Sequence, residues 1–363
     1  MTFSLTLAAY LARRYTLTLG GFVLAMAGIM ALFDSLELLR RISKFQGVDF
    51  GLMIQMTLLK IPENIQLISP FAVLFATMYL LSQLTQRQEL VIMRTAGASL
   101  WQILGPLLAV VFTYGILLVT ILNPLQAATQ SRYQHMEERY LKKEQALVSL
   151  VNQGLWLRQS EGRGYLLLHA RTVDLKTWSL GEVSAMFFHP DHRFIQRIDS
   201  SSARLEPGMW RFGPSAVTRA GAPSENYPNY GIPTHLTAGD IQESFAAPET
   251  ISFWQMPEFI RMLRATGFAT TPLLIHYGAL WALPLLLSGL ILMATLVSIH
   301  PSRRGGQTIL VVMGIIIGFV VFFATNFLHA LGSSEQIPVL LAVAAPALLT
   351  LAIGTIGLLA LEE

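Results

Sequence analysis

Few residues in this chain have a type and spacing suited to covalent chemistry. Lys60 and Glu63 stand three apart on one helical face and form an acid–base pair in an otherwise apolar region. An ordinary ion pair at a helix start accounts for them more simply than proton transfer does. His189 and His192 flank Asp191, the beginning of a metal site, but all three fall on one expected hairpin turn. One turn supplies too few ligands for zinc. The chain has no cysteine, which excludes thiol catalysis, disulfides and Cys-ligated metals. It has no Gly-Lys dipeptide, hence no Walker phosphate loop, and neither a Gly-x-Ser-x-Gly elbow nor a His-Glu-x-x-His helix. No catalytic, cofactor or metal set is expected, so any work done here draws its energy from a partner.

Two other groups of residues suit binding. The first lies in LTQRQELVIMRTAGAS, residues 84–99. Residues 86–95 are rich in helix formers, and Leu90 and Met93 share a face. Gly97 is placed to end the helix, and Ser99 with Gln102 makes a capping box that starts the next one. With Arg87, Glu89 and Arg94 around its apolar patch, this helix reads as a docking piece for another protein. An amphipathic helix resting at the membrane interface is the alternative. The second group is Glu37, Arg40, Arg41 and Lys44. On a continued helix Glu37 pairs with Arg41, while Arg40 and Lys44 form a ridge of like charge. Like charges four apart repel by a few tenths of a kcal/mol unless an anion lies between them. Arginine binds phosphate through a bidentate fork, so Arg40, Arg41 and Lys44 suit a phosphorylated lipid headgroup. A snorkelling belt for any anionic headgroup is the bland counterpart.

The elements that position these residues follow from composition. Of the 363 residues 53% are hydrophobic and 13% are charged, against about 25% charged in soluble domains. This is an integral membrane protein. Its net charge of +3 is too thin and dispersed for a nucleic-acid surface. Apolar runs at 15–33, 65–81, 100–122, 272–299, 308–328 and 337–361 have the length of spans. The only small-residue cleavage pattern, at Ala25 and Ala27, lies inside the first run, so that run is read as an uncleaved span. The sequence Lys60-Ile-Pro62-Glu63-Asn64 is expected to break the chain ahead of the second span. Gly314-x-x-x-Gly318 in the fifth span allows close helix approach.

After Asn123-Pro124 a polar helix is expected over 126–148, and from Gly154 the period becomes two. The segments GLWLR, GYLLLHAR, EVSAMFFHP, FIQRIDSSSARLE, MWRF and AVTR read as short strands of an antiparallel sandwich or roll. The stretch 221–240 reads as loop, and Pro257 and Gly267 bracket a short helix. The organisation is three spans (1–123), an inserted β domain with flanking helices (124–271) and three further spans (272–363). Arg13, Arg14, Arg87, Arg94, Arg303 and Arg304 mark one face, against Arg40, Arg41, Lys44 and Lys60 on the other, so the first is read as cytoplasmic.

With these residues in view, RQELVIMRTAGAS after a second span resembles the coupling helix of the LptF/LptG family of lipopolysaccharide-export ABC permeases. IPENIQLISPFAVLFA, NPLQAA, GLWLR and PSRRGG extend the likeness over the whole chain, and the last three are more like the G-type than the F-type subunit. Gln88 departs from the small polar residue usual before the glutamate, and Ala31 from a basic residue found in some relatives. The resemblance implies a non-catalytic inner-membrane subunit with six spans and a periplasmic jellyroll-like domain. Its implied partners are an LptF-like permease, an LptB-like ATPase dimer that binds the ATP and magnesium, and an LptC-like bridge. Lipopolysaccharide, with lipid A phosphates near the depth of Arg40, is the implied cargo. The readings left beside it are the F-type subunit, a permease that only transmits motion, and a membrane-embedded lipid-modifying enzyme.

Overall fold

An apolar run of spanning length has one stable form in a bilayer, a helix that satisfies its own backbone. The computed structural model describes residues 5–42, 50–140, 147–151, 154–161, 164–174, 179–189, 191, 193–234, 248–265, 270–298 and 306–362. Among these, six helical stretches are long and apolar enough to cross a membrane. They comprise α1 (Leu5–Ile42), α2 (Phe50–Gln86), α4 (Leu100–Leu117) with its continuation, α7 (Thr271–Ser298), α8 (Gly306–Ser333) and α9 (Val339–Glu362). The short α3 (Glu89–Thr95) joins α2 to α4, and the expected short helix before the fourth span is α6 (Met256–Ala265). The chain divides into two compact units, one of Met1–Tyr133, Ser252–Pro257 and Thr271–Glu363, the other of Gln134–Ile251 and Glu258–Thr270.

In the helical unit the expected break at 60–64 does not occur. Helix α2 runs unbroken through Pro62 and Pro70. A break there would strip backbone groups of partners where water is scarce, and the turn around Pro62 is instead tied sideways to α1. Asn64 Nδ2 donates to Asp34 Oδ2 at 2.5 Å, and Lys60 Nζ lies 3.3 Å from Asp34 Oδ1. Lys60 is thus held by Asp34 and lies inside a helix, not in a loop.

The third span also continues past its expected end. After α4 comes one π-helical turn, Leu118–Leu122, and then α5 (Asn123–Tyr140). Pro124 has no N–H for the carbonyl four residues back, which is Thr120. The wider turn takes up the proline ring, and the Thr120 carbonyl accepts a hydrogen bond from the Trp254 indole N–H at 3.2 Å. The buried Asn123 Oδ1 accepts the backbone N–H of Phe253 at 2.8 Å. The Phe253 ring stacks on Tyr277, with centroids 5.3 Å apart, and meets Trp281 edge-on at 5.4 Å. The short segment 252–255 is therefore fastened to the point where a proline would otherwise leave a span unsatisfied.

Glycines set the closest approaches between helices. A Cβ at Gly314 would fall 2.9 Å from Met78 Sδ and from Phe75 Cε1, and one at Gly318 would fall 2.8 Å from Phe71 Cε1. Both glycines of the small-residue pair thus face α2. At Gly289 a Cβ would lie 2.5 Å from Thr350 Oγ1 and 2.9 Å from the Leu351 backbone nitrogen, which closes α7 on α9.

The second unit is one antiparallel sheet of nine described strands. They are β1 (Leu147–Val151), β2 (Gly154–Glu161), β3 (Gly164–Asp174), β4 (Ser179–Phe188), β5 (Phe194–Glu206), β6 (Met209–Phe212), β7 (Ser215–Arg219), β8 (Glu225–Tyr227) and β9 (Tyr230–Pro233). Pairing follows chain order as far as β5. That long strand then pairs β7 along Gln196–Ser200 and β6 along Ala203–Glu206. All six strands read from the sequence are present. The helix expected to reach 148 gives way to β1, and the expected loop at 221–240 contains β8 and β9. Those two are three and four residues long, too short to show alternation. Alternate residues Leu155, Leu157, Leu166, Leu168, Ala185, Ile198, Val217, Trp210 and Phe212 are buried in one cluster. Leu166 and Leu168 are fully buried, so the apolar side of the sheet is a packed core.

Replacing Trp254 by Phe keeps the ring and removes the one donor to Thr120. The expected outcome is a loss of about 1 kcal/mol, read as a lower unfolding midpoint in detergent. Asn123→Ala is expected to cost more, on the order of 1–3 kcal/mol, because it strands a buried N–H.

Candidate functional site

The segment between α2 and α4 is not the single helix over 86–95 that its composition suggests. Helix α2 ends at Gln86, and Gln88 takes a left-handed conformation (φ 60°) before α3 starts at Glu89. Gln88 gives α3 no side-chain cap. A non-glycine residue in that region costs on the order of 1 kcal/mol, so the sharp turn is held by its surroundings. The far end closes as read: Gly97 is left-handed (φ 89°), its N–H bonds the Arg94 carbonyl at 3.0 Å, and the Ala98 N–H bonds the Met93 carbonyl at 3.1 Å. That pair of bonds is the Schellman arrangement. Ser99 and Gln102 form the expected reciprocal capping box.

Leu90 and Met93 do share a face, but it is turned inward. Leu90 is 6% exposed and joins the core of its own unit, against which Met93 packs. The apolar side chains that α3 offers outward are Val91 and Ile92, 53% and 64% exposed. Arg87 and Arg94 are exposed beside them. The apolar patch expected around Glu89 is thus filled by the chain itself, because α2 and α4 supply the groove.

Glu89, at the first position of α3, is clamped to α1. Its Oε2 accepts from Arg14 Nη1 at 2.7 Å and from the Tyr10 hydroxyl at 3.0 Å. Arg14 also donates to the Tyr10 hydroxyl at 2.6 Å and, through Nη2, to Gln83 Oε1 at 3.1 Å. The two charged side chains are 17% and 30% exposed. A carboxylate in the first turn also complements the helix dipole. In the sequence Arg14 marks only the sidedness of the first span. The signal that points to it is Tyr10 four residues earlier, which places a hydroxyl and a guanidinium on one face of α1.

At the other end of α1 the basic group is only partly described. Arg40 and Arg41 lie exposed in the last turn, where cations suit the helix dipole, and Arg41 pairs with Glu37. Lys44 lies outside the described residues, as do Arg303 and Arg304. The His189 and Asp191 side chains meet at 3.1 Å, while His192 lies outside the described residues. No group of three or more His, Asp or Glu side chains suited to a metal is found among the described residues.

The sequence pattern of the family described as "Lipopolysaccharide export system permease LptF/LptG" matches residues 9–360. The chain belongs to this family. The lipopolysaccharide export system permease protein LptG of Escherichia coli (strain K12) is 23% identical over 313 residues, 83% of this chain and 82% of that protein. LptG of Haemophilus influenzae is 23% identical over 354 residues, 95% of each. This LptF/LptG chain is accordingly a permease subunit of lipopolysaccharide export, and the six spans with an inserted antiparallel sheet are the architecture expected for it.

Arg14→Ala and Glu89→Ala in this permease are each expected to cost on the order of 1–3 kcal/mol. The double variant should cost little more than either single one. A double-mutant cycle on hydrogen exchange of the α3 amides measures this, and additive effects would show that the two side chains act separately.

Proposed function

We propose that this permease receives ATP-driven motion from a partner ATPase at α3 and passes it to α1. The observation that carries the reading is the distribution of bonds on Glu89. Tyr10 and Arg14 both bond Oε2, and among the described residues no bond falls on Oε1. One oxygen ties α3 to α1, and the other is free for a donor of the partner. Val91 and Ile92, flanked by Arg87 and Arg94, supply the apolar contact surface in place of Leu90 and Met93.

The partners on this reading are an LptB-like ATPase dimer on the face that carries Arg14 and α3, an LptF-like second permease, and an LptC-like bridge. The G-type assignment rests on the two relatives named LptG. That face is the cytoplasmic one, and the β unit then lies in the periplasm of a bacterial inner membrane. The permease needs no cofactor of its own, since the ATPase binds ATP and magnesium. Arg40, Arg41 and Lys44 bind phosphates of the lipid on the opposite face. Arg41 pairs with Glu37 on the same helix. The enzyme alternative loses its acid–base pair, because Lys60 is engaged by Asp34.

Val91→Asp with Ile92→Asp is expected to abolish co-purification of the ATPase, whereas Glu89→Ala leaves assembly measurable and uncouples hydrolysis from export. The charge swap Arg14→Glu with Glu89→Arg rebuilds the clamp with the wrong charge facing the partner. Export that remains lost in the swap supports the relay, and full recovery would mean that Glu89 serves α1 alone. Arg40→Glu with Lys44→Glu should weaken lipopolysaccharide-stimulated ATPase activity and lipid crosslinking without affecting assembly. Normal export by that variant would leave these charges as a headgroup belt only.

A further inference from the structure

The face of the sheet opposite its core contains a cavity of about 1470 Å³. Strand register places Trp156, His169, Ser184, Asp199, Ala216 and Asn226 directly opposite one another, one each from β2, β3, β4, β5, β7 and β8. All six line the cavity. They alternate along their strands with core residues such as Leu155, Leu168, Ala185, Ile198 and Val217, so they form one continuous rung on the outward side. Five inter-strand steps make that rung roughly 24 Å long.

The chemistry along the rung is graded. At one end the Trp156 indole lies on the His169 imidazole with ring centroids 4.3 Å apart. In the middle Ser184 Oγ donates to Asp199 Oδ1 at 2.5 Å, and Arg197 Nε holds the same carboxylate at 2.7 Å through Oδ2. At the other end Asn226 is exposed on the short strand β8. Glu182, on the cavity wall, is held left-handed (φ 51°), and its carboxylate pairs with Arg171 at 2.9 Å. Backbone held in that region is costly and persists where the surroundings fix it.

Charge decides the class of ligand. Each arginine bordering the rung is matched by a carboxylate, Arg171 by Glu182 and Arg197 by Asp199, so neither a phosphate nor a cation finds an unbalanced partner. Acyl chains would meet serines, an aspartate and an asparagine. What remains is an uncharged, hydroxyl-rich ring: its C–H face suits the electron-rich face of an aromatic platform, and its hydroxyls suit side chains already fixed in orientation. We propose that this cavity binds an uncharged stretch of saccharide, with Trp156 as the platform and Ser184, Asp199 and Asn226 as hydroxyl partners. The proposal rests on the export reading only for the source of the sugar, the glycan of the transported glycolipid.

The test uses the full-length chain in its purified complex, with a neutral, lipid-free hexose oligosaccharide as probe and saturation-transfer NMR as readout. Saturable binding is expected, weakened about three- to tenfold by Trp156→Ala and by Asp199→Ala, and retained by Trp156→Phe. Should Trp156→Ala fail to fold, Asn226→Ala at the exposed end must weaken binding in its place. No saturable binding by the parent, parent-like binding by the alanine variants, or displacement of the probe by inorganic phosphate would each overturn the proposal. Lipopolysaccharide transport by reconstituted parent complex is measured alongside. Its absence with oligosaccharide binding intact counts against the export reading alone, and transport without oligosaccharide binding counts against this site alone.

Discussion

Every backbone N–H and C=O in a lipid-embedded chain must find a partner inside the protein, and the helical unit is arranged around that requirement. Two prolines that would end a helix in water do not end one here. At Pro62 the helix is braced by Asn64 and Lys60 against Asp34 of α1. At Pro124 the freed Thr120 carbonyl is taken by Trp254, a residue 134 positions away in the chain. The same requirement explains why hydroxyls within the spans bond back to the carbonyl four residues earlier, as Thr77 does to Val73, Ser288 to Pro284 and Thr295 to Ile291. The hydroxyls of Thr77, Ser288 and Thr295 are thus each partnered within one turn of their own helix.

Local patterns were legible in the sequence where one residue type admits one role. The capping box at Ser99, the left-handed Gly97, the six alternating strands and the six apolar spans all came from local chemistry, and all are present. Long-range contacts were not legible. Nothing near Arg14 announces that Glu89, 75 residues away, is its partner, and nothing near Asn123 announces Phe253. The inward turn of Leu90 was hidden for a related reason. Periodicity tells which residues share a face of α3, but the helices that supply the groove decide which way that face points. Pro62 and Pro124 do not end their helices because in a bilayer breaking a helix costs more than distorting it.

Ionic contacts near the opposite ends of α1 tie it to other helices. Arg14 fastens one end to Glu89 and Gln83, and Asp34 fastens the other to Lys60 and Asn64. Between them Tyr15, Leu19 and Ala27 give a narrow buried stripe. In a bilayer an apolar contact between helices gains little, because lipid tails are as apolar as leucine. Polar contacts add to the close packing that holds α1, among them the buried Tyr15–Thr77 hydrogen bond of 2.9 Å and the Ser35–Thr57 contact of 3.2 Å. A helix held this way responds to whatever competes for those ties.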